Sequence, residues 1–286
     1  MDLQILRNKL DEISKINSDT WISLLDNRKK KELEFHDKDR DEDFIKNLSK
    51  TDFKKYRGNR KFYAVTNASN TYVKEWIKIN STGKIFLDYA CGNGSNAIIA
   101  AKAGAILAIG IDISPVSISN AKRAAEREGV SSNTYFLLAD AENTRLPENS
   151  IDVVICSGML HHLDLSYALP ELRRIMSKDG RLLAVEALNY NPIIKLYRKV
   201  TPDMRTEWEK NHIISRKEVK FASYFFDVKN VKFWHITSIF AAFIKPLLPL
   251  FNFLDLFLTR IPGIRLMAWQ FTFELVIKRI YTGRPK

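Results

Sequence analysis

A chain of 286 residues, 45% of them hydrophobic, has the material for one large core and is too apolar to stay disordered. Its two cysteines, Cys91 and Cys156, are too few for a disulfide framework; lying in apolar runs, they are expected as reduced, buried thiols of a cytoplasmic protein. The net charge of +12 is unevenly spread: Lys and Arg stand to Asp and Glu as 18 to 14 over residues 1–80, as 9 to 11 over 81–180 and as 18 to 8 over 181–286. The basic C-terminal third suits an acidic partner, an anionic membrane surface or nucleic acid, and a plain solvated basic face explains it equally well.

Residues 1–80 read as a polar helical extension. LQILRNKLDEISKI and DTWISLLDNRKKKELEF carry apolar residues at helical spacing, and the first lacks the apolar run and cleavage site of a secretory signal. A charge-dense run through Val65 follows, with a turn signal at Gly58-Asn59, and TNASNTYVKEWIKIN forms a further short amphipathic helix. Without a Gly-, Ser- or Pro-rich linker, this region is expected to pack on the core, its aromatic and basic run from Tyr56 to Tyr63 serving as a lid.

At Lys84 the period changes. KIFLDYA is a strand entering the glycine turn CGNG, and SNAIIAAKAG is a helix of small residues closed by Gly104. AILAIGIDIS, NTYFLLADA, SIDVVICSGML and RLLAVEALN continue as strands; between them PVSISNAKRAAEREGV and LSYALPELRRIMSKDG are helices, the latter ending in lysine and glycine. This short-spaced alternation argues for a parallel sheet with helices on both faces. In the C-terminal third, ASYFFDVKNVKFWHI and MAWQFTFELVIKRI look like strands. Between them 16 of the 23 residues 236–258 are apolar, but Lys245, Pro246, Pro249 and Asp255 interrupt the run. Two short hydrophobic helices meeting at the prolines fit better than a spanning helix.

Chemistry concentrates at the strand ends. Glycines in Asp88-Tyr-Ala-Cys-Gly92-Asn-Gly94 let backbone approach a ligand, and the turn after a first strand lies where α/β sheets bind ligands. Asp112 ends the second strand, where a carboxylate can accept both hydroxyls of a ribose; Ser114, just before Pro115, is the better helix cap. Asp140 ends the third strand, where an acid can accept an exocyclic amine. The same glycines and Asp112 would serve a dehydrogenase, which leaves Asp140 and the passage from LPENSIDVV to HHL unexplained.

The ordered set LDYACGNG, GIDIS, ADAENTRLPENSIDVVICSGMLHHL and ELRRIMSKDGRLLAVEAL resembles the class I methyltransferases that use S-adenosylmethionine (SAM), in the small-molecule branch (methyltransferase type 11) that includes quinone-biosynthesis enzymes. The resemblance spans about residues 84–190. It implies a Rossmann-like fold with a mostly parallel seven-stranded sheet, helices on both faces, an N-terminal helical extension and a hydrophobic helical insertion near the C-terminus. It divides the chain into a lid (1–80), a SAM-binding core (81–190) and an acceptor side that completes the sheet (191–286). It also implies SAM along the glycine turn, its ribose on Asp112, its adenine near Ile113, Asp140 and Ala141, and its methionine end near Asp88, Gly92 and Ser157, with Gly94 closing the turn. The family usually has glycine where this chain has Ala90; alanine is expected to exclude a positive φ and hold the turn in an ordinary conformation.

Methyl transfer to a hydroxyl, phenol or amine needs a base. His161 and His162, after the fourth strand, and Glu186, ending the fifth, are the candidates; His36 and His235 lie in segments that can cover the site. No cluster has metal-ligand spacing, so no metal is expected. Asn-Pro-Pro-Tyr-type tetrads of nucleobase-amine methylation are absent. The expected partner is therefore a small or lipid-like acceptor, with the chain monomeric or homodimeric in the cytoplasm or peripheral at an anionic membrane. An RNA methyltransferase using the basic C-terminal third and a non-catalytic SAM-binding module are the alternatives.

Overall fold

The computed structural model describes residues 2–40 and 45–278. Residues 41–44 of the charged run, the side chain of Tyr56 and Arg279–Ile280 of the expected last strand lie outside the described residues. Seven strands form one sheet in the order β3-β2-β1-β4-β5-β7-β6. They are β1 (Ile85–Tyr89), β2 (Leu107–Asp112), β3 (Thr134–Leu138), β4 (Ile151–Ser157), β5 (Met176–Ala187), β6 (Phe226–Trp234) and β7 (Gln270–Ile277). The first five run parallel, and β7 inserts antiparallel between β5 and β6. The order reverses at the β1–β4 pair, so the crevice beyond the carboxyl ends of these strands is the place for a ligand.

Local sequence explains the frame. β2 is buried along its whole length, as a central parallel strand requires. The helix Ser95–Lys102 lies close on the sheet because Ala97, Ala100 and Ala101 offer it only methyl groups. The helix Pro115–Arg127 starts as expected: Ser114 accepts the Ser117 N–H and Pro115 takes the first turn. The first helix, Leu3–Ser14, belongs to the core rather than to a detachable arm, with Leu6 and Leu10 fully buried in the cluster that holds Leu107 and Leu137.

Three boundaries differ from expectation. DTWISLLDNRKKKELEF is two helices, Ser18–Leu24 and Asn27–Arg40, because Leu25 is extended and the Asp26 carboxylate accepts the Lys29 N–H to start a new helix. The helix expected to end at Lys178 and Gly180 stops at Ile175. Buried Met176 pairs with Ile151, and Ser177–Gly180 loop out of register while Ser177 Oγ donates to Asp152. The segment 236–258 holds one α-helix, Leu248–Leu258, preceded by two 3-10 turns at Ser238–Ala242 and Lys245–Leu247. Among the described residues no helix is long and apolar enough to cross a membrane.

Candidate active site

Two cavities adjoin at the turn Leu160–His162: His162 lines one and His161 the other. The first lies beyond β1 to β4. Ala90, Asp112, Ile113, Asp140, Ala141 and Ser157 line it, while Asp88, Gly92 and Gly94 form the turn beside them.

That turn corrects one expectation. Ala90 has φ +59°, alongside Gly92 at +51° and Gly94 at +79°. The methyl group did not force an ordinary conformation; the turn's closure overrides a local preference worth roughly 1–2 kcal/mol. Gly92 N–H donates to Asp112 Oδ2 at 2.8 Å, and Ser114 N–H donates to Asp112 Oδ1 at 2.9 Å. Gly94 is required sterically as well, since a Cβ there would stand 2.6 Å from Phe136 Cε1 and 2.8 Å from Ala121 Cβ. Asp88 lies buried behind the turn, accepting from Ala97 N–H at 3.2 Å. Burial pushes its carboxyl up to about 7, against the hydrogen bonds from Asn96 and Ala97.

The helix Asn27–Arg40 closes the first cavity; His36 was expected in a covering segment, whereas Arg28, Lys29, Glu32 and Arg40 were missed. Arg28, Glu32, His36 and Arg40 recur every fourth residue, and that spacing was the available signal for one shared face. Arg40 Nη1 is 3.3 Å from Asp112 Oδ1, and Lys29 Nζ is 2.6 Å from Asp140 Oδ2 and 2.9 Å from Glu142 Oε2. Burial opposes the Lys29 ammonium, but its hydrogen bonds to Asp140 and Glu142 prevail and raise its pKa. Arg28 Nη1 donates to the His162 carbonyl at 2.8 Å, tying the helix to the turn.

His162 does not share a partner with His161. Its Nδ1 lies 2.9 Å from Glu32 Oε2, and the His36 ring stands edge-on to it at 4.7 Å. Burial alone would raise the Glu32 carboxyl, but the hydrogen bond from His162 and the His36 ring 3.7 Å away hold it well below the usual range; burial lowers His36 to about 4. Folding thus brings donor atoms of Glu32, His36 and His162, and likewise of His161, His162 and Glu209, within 4.8 Å of one another. Sequence spacing shows only part of each group, Glu32 with His36 one helical turn apart and His161 beside His162, because the remaining member comes from a distant segment.

His161 belongs to the second cavity. Its Nδ1 sits 2.6 Å from Glu186 Oε2, and Glu186 Oε1 accepts the N–H groups of Met159 at 3.0 Å and Leu160 at 2.8 Å. Glu186 is 1% exposed. With Nδ1 donating to this fixed carboxylate, Nε2 is the ring nitrogen left over and lies 4.0 Å from Glu209 Oε1. Burial raises the Glu209 pKa. Phe62, Ile194, Tyr197, Phe240, Phe243 and Trp269 supply much of the apolar wall. His235 stays outside both cavities; its ring nitrogens are each 2.8 Å from a serine hydroxyl, of Ser69 and Ser238, pinning the helix Asn67–Ser81 to the C-terminal turns.

A family model described as a methyltransferase domain matches residues 87–184. The chain carries a methyltransferase domain. Ribosomal protein L11 methyltransferases of Aliivibrio salmonicida (39% identical over 128 residues; 43% of this chain, 40% of theirs) and Shigella sonnei (35% over 124 residues; 43% and 42%) are similar to it. The chain thus spans about two-fifths of the length of these relatives. Among solved structures, geranyl diphosphate C-methyltransferase of Streptomyces coelicolor A3(2), bound to Mg2+, geranyl diphosphate and S-adenosyl-L-homocysteine, matches with TM-score 0.54 at 13% identity, covering 74% of this chain and 79% of that one. A [4+2]-cyclase matches with TM-score 0.52 at 16% identity, covering 72% and 80%. At such identities the likeness is one of fold.

The methyltransferase domain contains the glycine turn, Asp112, Asp140 and both histidines. Glu186 lies two residues past its matched end, and the helix Asn27–Arg40 and most of the second cavity lie outside it.

Proposed function

We propose that the chain transfers a methyl group from SAM to a small amphiphilic acceptor, with His161 as the base. The observation that carries this reading is the meeting of two unlike cavities at His161 and His162, one edged by acids and glycines, the other apolar. The first cavity fits SAM: Asp112 offers a carboxylate at ribose height, Asp140 an acceptor for the adenine amine, and the turn with left-handed Ala90, Gly92 and Gly94 a close backbone approach once Arg40 moves off Gly92. Ile113, Ala141 and Ser157 complete its walls. When bound, SAM supplies an activated methyl on a sulfonium, so positioning and exclusion of water do much of the work.

The chain's own residues do the rest. Glu186 fixes the His161 ring through Nδ1, which leaves Nε2 as the nitrogen that takes the acceptor's proton as the new bond forms. The helix Asn27–Arg40 is the natural lid. To admit SAM, Arg40 and Lys29 must release or share Asp112 and Asp140.

The acceptor is read from the second cavity's mouth. Ile193, Phe240 and Phe243 line the cavity yet are 62%, 43% and 65% exposed. Beside them Leu196 and Val200 on the helix Pro192–Val200, and Phe253 and Phe257 on the helix Leu248–Leu258, also face outward. Lys195, Lys199, Lys245 and Arg260 lie in or next to these segments in the sequence. Exposed apolar side chains on segments that also carry cations suit an anionic membrane surface, from which a lipid-like acceptor passes directly into the cavity. The acceptor named for the L11 methyltransferases is not carried over, because only two-fifths of those proteins correspond to this chain.

Flotation with anionic liposomes tests the membrane surface. Binding at low salt that weakens with added salt is expected. A chain that stays in solution with anionic and neutral liposomes alike, or sediments as a dimer that buries the segment 236–258, contradicts it.

A further inference from the structure

We infer that the second cavity holds an anionic group of the acceptor against Arg198, with the acceptor's apolar body left toward Phe240 and Phe243. This rests on reading that cavity as the acceptor site.

Arg198 Nη1 is buried and has no hydrogen-bond partner among the described residues. Its neighbour Arg205 is satisfied: Nη1 donates to the Thr201 carbonyl at 3.0 Å, and Nε lies 3.5 Å from Glu209 Oε1. Glu209 sits against Arg205 and its charge acts on both guanidiniums that line the cavity, but Arg198 Nη1 is left without an acceptor. Burial and the nearby Arg205 charge lower the Arg198 pKa to about 10, so it stays cationic at neutral pH. A buried cationic N–H with no acceptor is costly unless a ligand supplies one. A guanidinium fork matches carboxylate or phosphate oxygens, and the surrounding Ile194, Tyr197 and Met204 offer it none of these.

The layout fixes the acceptor's polarity. The cavity's exposed lining is apolar, whereas its cationic N–H without an acceptor is buried; the acceptor enters head first and leaves its tail at the mouth. At that mouth Lys61 Nζ stands 4.1 Å from the centroid of the Phe243 ring and adds positive potential along the path. Arg205, Glu209 and His161 follow one another at 3.5 and 4.0 Å, and the charges of Arg205 and Glu209 both act on Arg198. The shared ligand chemistry is a terminal oxyanion on a hydrocarbon body, from a carboxylic acid or a phosphate ester.

The test is calorimetric titration of the full chain with decyl phosphate, decanoate and decanol below their micellar concentrations, with SAM titrated separately. Wild type should bind at least one anionic probe roughly tenfold or more tighter than decanol. Phosphate ahead of carboxylate assigns a phosphorylated head, and the reverse assigns a carboxylic acid. Arg198→Gln should erase the preference while decanol and SAM affinities stay within twofold. Arg198→Lys should retain part of it, and Lys78→Gln, outside both cavities, all of it; Arg198→Lys also decides the matter if Arg198→Gln does not fold. Equal affinities for anionic and neutral probes in wild type, or a preference that survives Arg198→Gln, overturn the subsite. SAM that fails to bind while the anionic preference stands would remove the methyl-transfer reading and leave the subsite intact.

Discussion

The two cavities differ in how they are built. The first is the edge of a sheet: β1, β2, β3 and β4 each end in a residue or turn that lines it, within about seventy residues of one another. The second is assembled from Phe62, Ala187, Arg198, Glu209, Phe243 and Trp269, which no local element joins. A cavity made by strand ends inherits its geometry from the sheet. A cavity made by packed helices and turns is set by tertiary contacts and is free to change its ligand while the sheet stays the same.

The contrast yields predictions, the largest first. In the cofactor half, Asp88 is buried with its carboxyl raised from about 4 to about 7. The folded state therefore binds a proton that the unfolded state has released between these values. Asp88's contribution is full below about pH 4 and is lost as pH rises through about 7, a span worth roughly 4 kcal/mol at most. Asp88→Asn should gain stability relative to wild type across this window, read by urea denaturation at pH 4.5 and pH 8. A difference between the two proteins that does not change with pH would break the assignment.

In the acceptor half, Glu186→Gln removes the charge that orients His161. It should lower methyl transfer by roughly 10–100-fold, as lost orienting partners do, with SAM affinity unchanged. Weaker SAM binding with normal transfer would instead join Glu186 to the first cavity. Asp112→Ala should do the reverse, weakening SAM by roughly 1.5–3 kcal/mol through lost charged hydrogen bonds. Unchanged affinity in a folded protein, measured by calorimetry, would take Asp112 out of the site.

The smallest effect tests the turn. Ala90→Gly relieves a left-handed alanine and should stabilise the chain by about 1 kcal/mol or less, since glycine's own flexibility offsets part of the gain. A destabilised variant would mean that the methyl group packs usefully enough to outweigh its strain.

How much was legible follows the same division. The strand ends carrying Asp88, Asp112 and Asp140 could be read because short apolar runs lead directly into an acid, the first of them also into a glycine turn. The two strands that complete the sheet were legible too, within the aromatic and β-branched runs 222–236 and 267–280, whereas their antiparallel pairing was not. Ala90 was misread because local preference was weighed without the closure of the turn. Met176 was assigned to a helix because Lys178 and Gly180 mimic a helix end, while its burial against Ile151 was invisible. Arg198 and Glu209 could not be found, because a basic and an acidic residue on short helices look like solvated ones until folding brings them to one cavity. His161 and His162 were named together, yet their partners, Glu186 and Glu32, lie 25 residues downstream and 130 residues upstream respectively. Only the fold separates their roles.

The central claim is that the two cavities form one reaction site meeting at His161. The most direct measurement incubates the full chain and its His161→Gln variant with a lipid extract and SAM labelled on the methyl group, then follows the label between phases. The wild-type chain should move label into an organic-phase product. His161→Gln should bind SAM with unchanged affinity and transfer at least roughly 100-fold more slowly, the range for loss of a general base. Label appearing in protein or RNA instead, or a His161→Gln chain that transfers as fast as wild type, would contradict the account.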